Sequence, residues 1–112
     1  MRVMLKASMT VESGNQGIRS GKLPENIQAI LDEQKPEAAY FIAEGGQRTA
    51  LLFLDIQDAF QLPALAEPWF LAFNAAVEVT PAMTIADLAK AGPAIANAVR
   101  KYGAVSQSAA AR

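Results

Sequence analysis

The chain has 112 residues, 52% of them apolar, and a formal net charge of −1. That length suits one domain, and the near-neutral charge gives no footprint for nucleic acid or an acidic membrane. Cys and His are both absent, which excludes disulfides, thiolate nucleophiles, imidazole bases, a Ser-His-Asp triad and a histidine-ligated haem. Any chemistry therefore falls to carboxylates, Lys, Arg, Tyr, Ser/Thr or a bound cofactor, and neither a metal nor a resident cofactor is expected. No apolar run approaches the roughly 18 residues of a membrane span. The opening Met1 to Ala7 is too interrupted for a signal peptide, so a cytoplasmic protein is expected.

Residues 2–9 alternate, with Val3, Leu5 and Ala7 on one face and Arg2, Met4, Lys6 and Ser8 on the other, and predict a strand. Thr10 is placed to cap a helix, with Glu12 in its first turn and Gly14 and Gly17 weakening it. Gly21 is a stop, and Pro24 suits the first turn of a second helix whose stripe is Leu23, Ile27, Ile30 and Leu31. Lys35-Pro36 ends it.

Residues 38–44 and 48–56 then predict a hairpin about Gly45-Gly46, where paired glycines accept positive φ. Glu44 and Arg48 flank that turn and are expected as a solvated pair. Residues 58–73 predict a helix capped by Asp58, begun near Pro63 and kinked or divided at Pro68. Residues 74–80 alternate as a fourth strand. Thr84 and Asp87 form a capping box ahead of a last helix with Ile85, Leu88, Ile95, Val99 and Tyr102 on one stripe and a break at Gly92-Pro93. From Gly103 the composition predicts a flexible C-terminal tail, 103–112.

Strand–helix–strand, hairpin, helix–strand is the order of the ferredoxin-like βαββαβ fold, an α+β class with a four-stranded antiparallel sheet, here with an added C-terminal helix in a single domain over 1–102. Val3, Leu5, Ala7, Ala39, Phe41, Leu52, Leu54, Val77 and Val79 fall on the side expected to carry the helices. The opposite side carries Met4, Lys6, Tyr40, Ile42, Leu51, Phe53, Asp55, Glu78 and Thr80. Five of these are apolar and contiguous, so that face calls for a cover, either the last helix or a second copy. A homodimer through the sheet face is the favoured cover, since each fully buried large side chain contributes roughly 1.5–3 kcal/mol before ordering costs.

Three segments carry a resemblance: Pro36 through Phe41, Ala66 through Phe70, and Phe73 through Pro81. Together they make residues 1–102 resemble small uncharacterised bacterial proteins of the dimeric α+β barrel superfamily. The resemblance implies a ferredoxin-like protomer and a two-fold dimer. Members include cofactor-free monooxygenases, muconolactone isomerases and haem-binding chlorite dismutases, so the shared fold implies no one activity.

Two groups of side chains are candidates for a ligand site. Lys6 with Asp55 and Glu78 would form a lysine flanked by acids if the first strand lies between the third and fourth. That cluster serves either a polar ligand or cross-strand pairing that sets register. Tyr40 would orient a ligand or serve as an amphipathic interface residue. Glu67, Trp69 and Asn74 surround the proline-bearing helix, where Phe60, Phe70 and Phe73 either complete a pocket or form the helix's core contact; Asn74 is equally suited to end that helix in a left-handed conformation. The glycines near Asn15-Gln16 suggest a close approach by the first helix, without the spacing of a phosphate loop. These features leave a small-organic-molecule binder or cofactor-independent enzyme beside a non-catalytic dimeric structural or regulatory module. RNA binding on the sheet is disfavoured by its few cations.

Overall fold

The computed structural model describes residues 1–104. The chain forms two compact units, Met1–Ala82 and Met83–Arg112. The tail expected over 103–112 lies, from residue 105 on, outside the described residues; Gly103 and Ala104 are helical.

The first unit is an α+β arrangement around a four-stranded antiparallel sheet. It runs β1 (Arg2–Ser8), α1 (Val11–Ser20), α2 (Lys22–Gln34), β2 (Ala38–Glu44), β3 (Gln47–Asp55), α3 (Leu62–Phe73) and β4 (Ala76–Pro81). The strands lie in the order β2-β3-β1-β4. Leu5 stands between Leu52 and Val79, and Ala7 between Ala50 and Val77. Because strand side chains alternate, this register puts Val3, Leu5, Ala7, Ala50, Leu52 and Leu54 on one face, all buried. Leu23 and Ile30 of α2 and Trp69 and Phe73 of α3 complete that core.

Local chemistry explains the element ends. Thr10 Oγ1 accepts from Ser13 N at 3.1 Å to cap α1. Gly21, at φ 75°, both ends α1 and opens α2. Gly45 and Gly46, at φ 59° and 76°, make the two-residue turn of the hairpin. Asp58 and Gln61 form a capping box on a short 3-10 turn, Ala59–Gln61, that leads into α3. The helix then runs through Pro68 rather than dividing there. A proline removes one intrahelical N–H, and the buried Trp69 and Phe73 hold the halves to the same core. Gln34 Nε2 also donates to the Leu65 carbonyl at 2.9 Å, tying α2 to this stretch.

The fourth strand begins two residues later than expected. Asn74 is left-handed at φ 52° and its N–H donates to the Phe70 carbonyl at 3.0 Å, so it closes α3. The second unit has three helical pieces where the sequence suggests one broken helix: α4 (Ile85–Lys90), α5 (Gly92–Ala98) and a π-helical turn, Val99–Gly103. The Thr84–Asp87 capping box is present in both directions, at 3.0 and 3.1 Å. Ile85, Leu88, Ile95, Val99 and Tyr102 are all exposed. No described helix is long and apolar enough to cross a membrane.

Candidate functional site

The inward face of β3 reads Arg48, Ala50, Leu52, Leu54 from the hairpin onward, and the packing changes along it. At Leu52 the facing residues are Leu5 and Ala39, and Leu5 and Leu52 are wholly buried. One step toward the hairpin, Ala50 faces Ala7 and Phe41. The small Ala50 leaves space that a branched side chain would fill. A cavity of about 390 Å³ opens there, lined by Leu23 and Ile27 of α2, Trp69 of α3, Met9 after β1, and Phe41 and Ala50 of the hairpin, with Arg48 at the hairpin end. Its size lies in the usual range for small-molecule sites.

The polar side chains among the residues lining this cavity are few: Arg48, Thr49 and the Trp69 indole. Trp69 is fully buried, and its Nε1–H has no hydrogen-bond partner. An unsatisfied buried donor of this type costs about 1–3 kcal/mol. Arg48 Nη2 donates to Asn15 Oδ1 at 3.1 Å, a neutral partner. Gly14 makes that approach possible: a Cβ there would collide with the Arg48 guanidinium. Gly17 similarly lets Leu23 pack against α1. The close approach suggested by the glycines of α1 is thus to Arg48 and Leu23. Thr49 is occupied, donating to the Gln47 carbonyl at 3.1 Å and meeting Ser8 Oγ at 3.2 Å. No carboxylate lines the cavity.

The residues singled out from the sequence are dispersed. Lys6 pairs with Glu44 at 2.8 Å and stands 3.8 Å from Glu78. The Glu44 hydrogen bond is the main reason its pKa is raised above the ordinary lysine value, so Lys6 stays charged and is no general base. Asp55 does not join it. The register puts Asp55 opposite Arg2 and Leu51 opposite Lys6, and Asp55 instead accepts from the Met1 amine at 3.0 Å. Glu44 and Arg48 do not pair either, because the two-residue turn matches Glu44 with Gln47 and Ala43 with Arg48, sending the two charges to opposite faces. Near Asp55, Arg2 donates to both Glu37 oxygens at 2.7 and 3.0 Å. That pairing holds the Glu37 carboxyl below the usual glutamate range.

Tyr40 is 59% exposed on the opposite sheet face and meets Phe53 edge-on at 6.4 Å. Glu67 is exposed, and Phe60 and Phe70 are exposed while Trp69 and Phe73 stack in the core with centroids 5.4 Å apart. The aromatics of α3 therefore do not enclose a pocket with Glu67 and Asn74; helical spacing turns them to different sides. Asn74 borders shallow polar hollows with Ser13 and Gln16. Asp55 borders another, about 310 Å³, among Glu33, Lys35 and Gln61, where charges of both signs are already close. Among the described residues, no cluster of three acidic, His or Cys side chains is placed to hold a metal ion.

Trp69 is the one sequence candidate in the apolar cavity. Phe41 and Arg48 were missing from the expected site. Their signal was parity: Arg48 continues the inward series of Leu52 and Leu54, so the sequence carries a cation on a face otherwise reserved for the core. Compared with known protein families and with curated protein sequences, the chain matches none.

Proposed function

We propose that the chain is a ferredoxin-like protomer of the dimeric α+β barrel kind, acting in the cytoplasm, that pairs through its sheet face and holds a small organic molecule in the cavity beside Trp69. The observation that carries the binding reading is a ligand-sized cavity walled by Leu23, Ile27, Phe41, Ala50 and Trp69, with Arg48 at its hairpin end. Pairing is supported by the strand order and by Tyr40 and Ile42, which are 59% and 41% exposed on the face opposite the helices. A second copy stacked there would remove both from water. A non-catalytic dimeric module is the second reading, favoured by the exposed apolar stripe from Ile85 to Tyr102.

Native mass spectrometry of the purified chain tests both parts. A dimer that retains or acquires small-molecule mass supports the proposal. A strict monomer at tens of micromolar overturns the pairing. A dimer that takes up no mass from a broad panel of apolar compounds overturns the binding reading and leaves the module.

A further inference from the structure

We infer that the ligand of the Trp69 cavity is an organic acid, with an apolar body and an anionic group held by Arg48. This rests on the reading of the cavity as a binding site and adds the charge and polarity of what enters it. The polar side chain that borders the cavity with capacity to spare is Arg48, a donor. Arg48 has five N–H donors and no acceptor, and one nitrogen is given to the Asn15 amide oxygen. Among the described residues Arg48, like Arg19 and Lys35, has no ion pair, whereas Arg2, Lys6 and Lys22 each meet a carboxylate; of Arg19, Lys35 and Arg48, the last is the one that borders this cavity. A molecule that complements this lining must bring oxygens that accept, and beside an unpaired guanidinium a carboxylate gives the strongest such contact.

The apolar walls set the rest of the molecule. Leu23, Ile27, Phe41 and Ala50 offer no polar side-chain atom, so a polyol or a polycarboxylate would lose its hydration without return. A compact aromatic or aliphatic monocarboxylate fits, with the acid at the exposed Arg48 and the apolar body against Leu23, Ile27 and Phe41. A neutral amide of equal shape fills the same walls but cannot form the charged pair. An amine would bring donors to donors.

Trp69 is the only tryptophan, so its emission reports on this cavity directly. Titration of the full-length protein with 3-phenylpropionate and octanoate, and with the primary amide of each, is followed by Trp69 fluorescence and by calorimetry at neutral pH. The acids are expected to bind about tenfold tighter than their amides, a preference that falls as salt is raised. Arg48→Gln is expected to erase the preference while leaving amide affinity in place, and Arg48→Lys to restore part of it. Equal affinity for acid and amide, or a preference that survives Arg48→Gln in a variant whose circular dichroism matches the parent, overturns the inference and leaves small-molecule binding standing. No response to either acid or either amide, by emission and by heat, overturns the binding reading itself.

Discussion

The two halves of β3's inward face show how the same strand yields a core at one end and a cavity at the other. Toward Asp55, Leu52 and Leu54 meet Leu5 and Val3, and the space closes. Toward the hairpin, Ala50 meets Ala7, Arg48 lies next in the inward series, and Phe41 is 53% exposed at the sheet edge although it belongs to the same face. Both halves follow one continuous register. The difference is side-chain volume and one charge. A strand face can thus be divided between a closed core and an open cavity by exchanging leucine for alanine two residues along.

That comparison breaks first at its packed end. Leu52→Ala removes a side chain with no exposed surface and is expected to cost about 2–5 kcal/mol in denaturant unfolding. A cost under about 1 kcal/mol would mean that the two halves are not packed differently. At the other end, Ala50→Leu adds volume where space already exists, so stability should change by less than about 1 kcal/mol. Uptake of any ligand in the cavity should be lost, as calorimetry would show. Were Ala50→Leu as damaging as Leu52→Ala, the hairpin end would be as tightly packed as the centre.

Gly14→Ala probes the support behind Arg48. Alanine in the helix interior contributes up to about 1 kcal/mol relative to glycine, but its Cβ displaces the guanidinium from Asn15. The unfolding midpoint should hold or rise while the preference for an acid over its amide falls. Loss of stability instead would show that the Arg48–Asn15 contact holds the helix to the hairpin.

The smallest effects concern the surface pairs. Glu37 has its pKa lowered by the Arg2 hydrogen bond, so its contribution is complete above the ordinary glutamate value and is lost as the pH falls through the lowered one. Lys6 has its pKa raised, chiefly by Glu44; its contribution is complete below the ordinary lysine value and is lost as the pH rises through the raised one. Glu37→Gln should flatten the acid limb of stability below the ordinary glutamate value, and Lys6→Gln the alkaline limb above the ordinary lysine value. Both changes should shrink in high salt, since these pairs are partly exposed.

Much of the first unit was legible because local signals agreed with one another. Alternation in β1, the glycine pair at the hairpin and the cap at Thr10, like the Thr84 cap of the second unit, each depend on near neighbours, and they stand where the residues place them. The site was less legible because it depends on which side chains meet across strands. Asp55 and Lys6 share a face, yet antiparallel register separates them, and no spacing within a segment reports that distance. Glu44 and Arg48 look like partners in sequence and are sent apart by a turn of two residues. Trp69 is recognisable as a large buried aromatic, but its unpartnered nitrogen follows from what is not beside it. The cavity itself is a deficit of volume at Ala50, invisible until the strands are aligned.

The strand β2 closes one side of the sheet, and its neighbour on the other side is absent by topology. From Ala38 to Ala43 it has no proline, no lysine and no bulge-forming glycine, only alanines, Tyr40, Phe41 and Ile42. Natural sheets commonly guard such margins with charge or proline to prevent unwanted strand addition. Here the guard is confined to the ends, Pro36-Glu37 before the strand and Glu44 as its last residue. This short margin is therefore one route to self-association at high concentration, and a single lysine at Ala43 is an economical way to block it.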